Sequence, residues 1–391
     1  MQYKLLGYSE IDKAAIRTYC AIHNVDTSLN LGDITQMDIE TLPDCDFVCG
    51  GSPCQDISIA GAMLGTIHTC VECGYTYEPL TLSVKERNKC PICNSYNIER
   101  TRSSLIVNLL DVVRVKQPKI FIFENVKNIV GKRYEKTFSC VISELQTYGY
   151  TVQYKVLNAR NFGVPQNRER LYLVAIRNDI YKSWEFPVGT SELCSSKDFL
   201  ETYVPAKYYL NERNIEKFKV GLGFTTLVNA VNMSVDGRIL CDKTWNKHKM
   251  REYVNCITAR EDRGLSARVA EGTAVVERYT DKHTGMQINT IKINDTEELC
   301  VRKLTPHECF RCMGFNDMEF ARIEDVSDAQ LYKQAGNSVV VNVLTAIYES
   351  IYRVMPEIFT DMRVLSFFSG VGAFETALDR LNENNLPNMH N

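Results

Sequence analysis

No stretch of these 391 residues is apolar for long enough to cross a bilayer, and none reads as a secretory leader. The chain is therefore expected to be soluble and cytoplasmic, with no membrane partner. It also lacks a charge imbalance. Its 45 basic and 48 acidic side chains leave a net −3, so the chain as a whole announces no polyanion partner, and any nucleic-acid surface must be a local basic face. There is no internal repeat and no low-complexity tail. Cysteine, by contrast, is plentiful at 15; without a leader these read as reduced thiols and metal ligands, not disulfides. The length suits one large domain plus a smaller one.

The chain is organised around 44–61. Phe47-Val48-Cys49 is a short apolar run between Asp46 and Gly50-Gly51, the signature of a buried parallel strand ending at its carboxyl edge. Ligands of open α/β sheets bind outside such edges, so the loop delivers Cys54 to a place where chemistry is done. Pro53 fixes a torsion before it, and the glycines let backbone approach a ligand.

Taken in order, 3–7 reads as a strand, followed by Ser9-Glu10-Ile11-Asp12 and a helical stretch through about His23. Glu10 is either an acid for a ribose hydroxyl pair or a helix N-terminal carboxylate favoured by the dipole, and Asp33 in Gly-Asp-Ile is of the same ambiguous kind. Between 66 and 100 the character changes. Cys70-x2-Cys73 and Cys90-x2-Cys93 are 16 residues apart, with Gly74 and Asn94 directly after the pairs. Four thiolates at this spacing fit one tetrahedral structural Zn2+, and Gly or Asn supplies the left-handed turn of each knuckle. With few apolar residues, this zinc ribbon (67–99) would draw its stability from the metal.

Beyond it, 104–116 is helical and 119–123 a buried strand ending at Glu124. A carboxylate after Ile-Phe-Ile-Phe should be partly desolvated, which raises its pKa and lets it hold a proton near neutrality. A helix over 134–145 and a strand over 151–157 precede Asn161–Arg170, which runs into a strand at 171–176. There Arg168 and Arg170 alternate with Glu169 and share a face, suited to an oxyanion target or to neighbouring acids. From 182 to 299 the βα rhythm dissolves, suggesting a smaller domain. Lys243, Lys247, Lys249, Arg251, Arg260, Arg263 and Arg268 give it local positive character, for solvent or for phosphates. Thr305-Pro306 with Glu308 then caps a helix. Cys309 and Cys312, lacking a second pair, are expected to pack inside. Gln334-Ala-Gly-Asn-Ser-Val339 leads into an apolar helix, and 363–378 is a strand, a glycine-rich turn and a helix. That last unit normally opens a nucleotide-binding sheet; here it closes the chain.

Together these segments resemble the C5-cytosine DNA methyltransferases. The resemblance rests on Phe-Ser-Gly-Val-Gly (368–372), Glu10, Gly-Asp-Ile (32–34), Ser-Pro-Cys-Gln (52–55), Glu-Asn-Val (124–126), Gln-Asn-Arg-Glu-Arg (166–170), Arg-Lys-Leu-Thr-Pro-His-Glu-Cys (302–309) and Gly-Asn-Ser-Val (336–339). Two features depart from the pattern: the glycine-rich motif stands last, as in a circular permutation, and the ribbon interrupts the mobile loop after the catalytic Cys. A truncated tandem whose last segment completes a neighbouring chain is the rival to permutation.

The resemblance implies an α/β fold with a doubly wound, mostly parallel sheet of the class I S-adenosylmethionine-dependent type. Catalytic parts at 1–181 and 300–391 would flank a target-recognition domain at 182–299. It implies methyl transfer from S-adenosylmethionine to C5 of a flipped-out cytosine within a short specific duplex sequence, via a covalent Cys54–C6 adduct, with Glu124, Arg170 and, in support, Arg168. Phe368, Gly370, Gly372, Glu10, Ile11, Asp33, Asn337 and Ser338 would contact the cofactor. Implied partners are double-stranded DNA and, in restriction-modification systems, a cognate endonuclease, with the enzyme a bacterial or phage-encoded monomer acting at the nucleoid. The ribbon, riding on the closing loop, would add a DNA contact. The tRNA-methylating branch and a catalytically silent DNA-binding module are the alternatives.

Overall fold

The computed structural model describes residues 3–53, 57, 65–190, 194–267 and 271–385. Strand β1 (Tyr3–Ser9) leads to helix α1 (Lys13–His23) through Asp12, whose carboxylate accepts from the Ala14 and Ala15 amides at 2.9 and 3.2 Å and so caps the helix. β2 (Phe47–Gly50) is buried throughout, as a strand covered on both faces must be. A small antiparallel sheet follows from β3 (His68–Cys70), β4 (Thr76–Tyr77) and β5 (Ile98–Arg100), in the order β4-β3-β5. α2 (Ile106–Lys116), β6 (Ile120–Val126), α3 (Glu135–Thr147), β7 (Tyr150–Asn158) and β8 (Glu169–Arg177) come next.

β6 runs further than its apolar residues predict, because antiparallel β8 pairs with it to the end. Glu124 stands opposite Tyr172 and Val126 opposite Arg170. Glu124 is thus inside a strand and not beyond one.

From 182 onwards the sequence shows no strong period, yet a five-stranded antiparallel sheet forms there. α4 (Glu212–Lys219) and α5 (Phe224–Met233) precede β9 (Arg238–Asp242), β10 (Met250–Arg251), β11 (Thr273–Arg278), β12 (Ile291–Lys292) and β13 (Glu298–Lys303). The order is β10-β9-β11-β13-β12, and Phe218, Leu227, Val231, Val276 and Val301 close its core. α6 (Pro306–Cys312) carries the expected capping box between Thr305 and Glu308, and Cys309 and Cys312 are buried. α7 (Asp317–Ala321) and α8 (Asp328–Asn337) follow.

α9 (Val341–Tyr352) precedes β14 (Met362–Phe367) and α10 (Ala373–Asn385). The large sheet has the order β1-β14-β2-β6-β8-β7, with β1, β14, β2 and β6 parallel. The last strand therefore lies between the first two, held at its base by Arg363 Nε, 2.9 Å from the Asp46 carboxylate.

Two compact units result. One comprises Met1–Leu157, Glu169–Pro187 and Val343–Asn391; the other comprises Asn158–Arg168 and Val188–Asn342. The second takes in 188–299 of the small domain expected at 182–299, together with 158–168 and 300–342. Among the described residues no helix is long and apolar enough to cross a membrane.

Candidate active site and four-cysteine centre

The carboxyl edge of β2 is shaped by close backbone approach. A Cβ on Gly50 would sit 2.6 Å from the Phe367 carbonyl oxygen, and one on Gly51 3.2 Å from both the Glu124 carbonyl oxygen and its Oε2. Asn125 Nδ2 donates to the Ser52 carbonyl at 3.1 Å, and Ser103 Oγ to the Pro53 carbonyl at 3.1 Å. The chain is thus fixed up to Pro53. Cys54 itself lies outside the described residues, as does Arg268.

Glu124 is buried, and Arg170 Nε lies 3.4 Å from its Oε1. The register explains this: with Val126 opposite Arg170, a long guanidinium reaches the acid two residues back on the same face. With Glu124 buried and Arg170 half-buried, water screens the pair only in part, and an acid and a cation stand together beside the Gly51 backbone.

Arg168 has a different occupation. Its Nη1 donates to the Ile257 carbonyl at 2.9 Å, and its Nη2 to those of Gly336 and Ser338 at 3.0 and 2.8 Å. These bonds hold the Gly336-Asn337-Ser338 turn at the end of α8. The turn is tight, since a Cβ on Gly336 would fall 2.2 Å from the Ala259 nitrogen. Asn337 ends α8, and Ser338 Oγ donates to the Val339 carbonyl at 3.1 Å.

The glycine-rich turn after β14 needs left-handed backbone at Phe368 (φ 53°), Gly370 (φ 56°) and Gly372 (φ 84°). A Cβ on Gly370 meets nothing within 4 Å, which leaves that face open to a ligand, whereas one on Gly372 would overlap His23 at 1.9 Å from Nε2. Glu10 Oε1 accepts from the Ile11 and Asp12 amides, both at 2.8 Å, and Oε2 from the Gly370 amide at 3.0 Å. In this arrangement Glu10 serves the start of α1 and the turn together. Ile11 is 70% exposed, an apolar side chain free to meet a flat ring. Asp33 Oδ1 accepts from the Thr35 amide and hydroxyl, both at 2.9 Å. Sequence reasoning missed Ser9, Asn30 and His23. Ser9 Oγ donates to the Gly32 carbonyl at 2.7 Å, Asn30 Nδ2 to that of Glu10 at 3.0 Å, and His23 Nε2 lies 3.3 Å from the Val371 carbonyl oxygen. Asn30 and His23 belong to no motif, so only their contacts reveal them.

The Sγ atoms of Cys70, Cys73, Cys90 and Cys93 all lie within 4.8 Å of one another, with Cys70–Cys93 and Cys73–Cys90 separations of 3.5 Å. Zinc–sulfur bonds of about 2.3 Å put tetrahedral sulfurs roughly 3.8 Å apart, so the donor set fits a closed zinc site. The two knuckles match: the Gly74 and Asn94 amides donate to the Cys70 and Cys90 carbonyls at 2.9 Å, with φ 71° and 57°. The segment is also fastened to its own unit. Its ends are clasped by the Thr101 amide donating to the Ile67 carbonyl at 3.0 Å, and Leu80 joins the main core. Fully buried Arg87 places Nη2 2.8 Å from Asp111 on α2 and Nη1 2.6 Å from Glu144 on α3.

The basic residues of the small unit divide. Lys243 is buried on Glu261 at 3.1 Å, and Arg251 pairs with Asp242 at 2.7 Å, so both are structural. Lys247, Lys249, Arg260 and Arg263 are exposed.

A family model described as C-5 cytosine-specific DNA methylase matches residues 1–72 and 93–353. The orphan methyltransferase M.SPRI of Bacillus phage SPR is 29% identical over 436 residues, covering 89% of this chain and 92% of the relative. The type II methyltransferase M.NlaX of Neisseria lactamica is 31% identical over 344 residues, covering 87% and 86%. Among solved structures, the Entamoeba histolytica methyltransferase EhMeth aligns with a TM-score of 0.55 at 16% identity over 89% of each chain. The S. pombe Dnmt2 methyltransferase gives 0.54 at 16% over 90% of this chain and 91% of its own. At such identity these last two speak for the fold alone.

Proposed function

This chain belongs to the C-5 cytosine-specific DNA methylase family, and from that membership we propose how its residues carry the reaction. The activity is transfer of a methyl group to C5 of cytosine in DNA, with S-adenosylmethionine as donor. C5 is a poor nucleophile until electrons are pushed into the ring. The Cys54 thiolate adds to C6, forming the S–C6 bond, and the displaced electron density moves toward C5 and N3. Glu124 donates a proton at N3, and Arg170 holds O2 through its guanidinium. Bound S-adenosylmethionine supplies the electrophilic methyl group at C5. The C5 proton passes to a solvent base, the N3 proton returns to Glu124, and the C5–C6 double bond re-forms as the S–C6 bond breaks, restoring the aromatic ring and freeing the Cys54 thiolate. None of this can occur in a stacked duplex, so the cytosine is flipped out.

The observation that carries this reading is the pair formed by buried Glu124 and half-buried Arg170 beside Gly51, three residues before Cys54. Arg168 takes part by positioning the turn it ties down. Phe368, Gly370, Gly372, Glu10, Ile11 and Asp33 hold the cofactor, the open face of Gly370 and the exposed Ile11 being the features that fit it. Asn337 and Ser338 join them on the strength of their motif. The four cysteines hold a structural zinc. Circular permutation accounts for a family match that ends at residue 353 while the glycine-rich turn lies beyond it. The proposed assembly is a monomer on double-stranded DNA, alone or beside a cognate restriction endonuclease.

A tritiated-methyl assay on duplex DNA and on tRNA tests the substrate, with label expected in DNA alone. Cys54→Ala is expected to bind DNA and transfer no methyl. A duplex carrying 5-fluorocytosine should trap the parent protein covalently at Cys54; no adduct would remove the nucleophile assignment.

A further inference from the structure

The loop joining β9 to β10 holds an exposed aromatic side chain in a stiff frame. Trp245 is 38% exposed and Met250 45%, and Asn246, Lys247 and Lys249 between them are exposed as well. Bridged to Lys247 stands Leu222, 71% exposed. An indole and aliphatic side chains gathered in water forgo burial that folding normally secures.

Nothing about the backbone here is slack. Trp245 N donates to the Ser266 carbonyl at 3.2 Å and Ser266 N to that of Lys243 at 3.0 Å. Leu222 N donates to the Asn246 carbonyl at 2.9 Å, and His248 N to that of Leu222 at 2.8 Å. Asn246 Nδ2 reaches the Ala267 carbonyl at 2.7 Å. At the base, Arg251 grips Asp242 at 2.7 and 2.9 Å, and buried His248 places Nε2 2.7 Å from the Phe218 carbonyl oxygen. Gly221 leaves no room for slippage, as a Cβ there would lie 2.4 Å from His248 Nε2. The loop is therefore pinned from both sides and at its foot, with Thr244 and His248 buried and Trp245, Asn246, Lys247, Lys249 and Met250 left exposed. A rigid aromatic flanked by lysines loses little freedom on binding and suits a polyanion whose grooves present apolar base edges between phosphates.

We propose that residues 244–250 are a DNA-reading element, with the Trp245 indole packing against bases of the target duplex and Lys247 and Lys249 taking flanking phosphates. This rests on the cytosine-methylating reading above and assigns part of sequence discrimination to named side chains.

The chain has only two tryptophans, and Trp184 is 4% exposed. A Trp184→Phe protein thus reports from Trp245 alone, and acrylamide quenching of the unsubstituted protein gives the same reading if that variant folds poorly. Methylated sites are first read by bisulfite sequencing of a random plasmid. Duplex containing the site should then quench Trp245 emission and shield it from acrylamide. Trp245→Ala should weaken binding to that duplex on the order of ten-fold, and non-site duplex less, relaxing the spectrum of methylated sites. Lys247→Ala with Lys249→Ala should weaken both duplexes alike and lower the salt slope by about two. Unchanged Trp245 emission at saturating duplex, or an unchanged site spectrum in Trp245→Ala, overturns the proposal while methylation persists. A parent protein that labels no DNA overturns the underlying reading instead.

Discussion

Arg87, carried by the four-cysteine segment, places its guanidinium 2.6 Å from the Glu144 carboxylate of α3. Its other nitrogen meets Asp111 of α2 at 2.8 Å, so one buried cation ties the segment to two helices. A ribbon riding on a mobile loop would have no such tie. Replacing Arg87 by Met should therefore destabilise the protein by about 3 kcal/mol, because buried Asp111 and half-buried Glu144 both lose their guanidinium partner. Urea unfolding measures this, and a loss below about 1 kcal/mol would mean that Arg114 and Tyr148 suffice for Asp111 and Glu144.

Metal and fold should be coupled in the same segment. Purified protein is expected to carry stoichiometric zinc, and Cys73→Ser to lose it. Hydrogen exchange should then rise over 68–100, and less in β2 and β6. Full zinc content in the Cys73→Ser protein would show that the four sulfurs are not the site.

Two glycines of the glycine-rich turn after β14, proposed above to hold the cofactor, should respond differently. At Gly372 an alanine combines φ 84° with overlap on His23, whereas at Gly370 it meets only the φ 56° strain. Gly372→Ala should weaken S-adenosylmethionine binding far more, read by calorimetry with DNA binding retained. Equal losses would point to strain alone, without a role for His23.

The Glu124–Arg170 pair should matter for rate and not for DNA affinity. Arg170→Lys keeps the charge but loses the planar fork, and is expected to lower kcat on the order of 100-fold or more. Glu124→Gln should also lower kcat. A kcat within a few-fold of the parent in both variants would detach the pair from catalysis.

Acid should undo the small unit through Glu277. Burial pushes this carboxyl up, but Arg302, with Lys282 and Tyr209, outweighs it and holds the pKa at about 2, below its ordinary 4.5. The unfolded chain takes up the proton first, so the stabilisation is whole above pH 4.5 and is lost as pH falls toward 2. Glu277→Gln should be less stable at neutral pH and show a flatter acid limb in denaturant titrations. An acid limb identical to the parent's would exclude Glu277 as its source.

What the sequence determined by itself was what depends on near neighbours. The short, β-branched and aromatic Ile-Phe-Ile-Phe run of β6 favours a strand buried on both faces. The Thr305–Glu308 box closes within one helical turn, and the paired Cys-x2-Cys knuckles each need a left-handed residue that Gly74 and Asn94 supply. The motifs that carry the family resemblance were legible for the same reason, each being a few consecutive residues. Long-range pairing was left to the tertiary structure. Only the parallel registers put β14 between β1 and β2, and only the β6–β8 register brings Arg170 to Glu124. The same lysine and arginine types became a clamp at Arg87, a strap on carbonyls at Arg168, a buried pair at Lys243 and an exposed cation at Lys247. A side chain's charge is written in the sequence, but whether it faces water, a carbonyl or an acid is decided by elements far away along the chain, and burial sets what that charge can do.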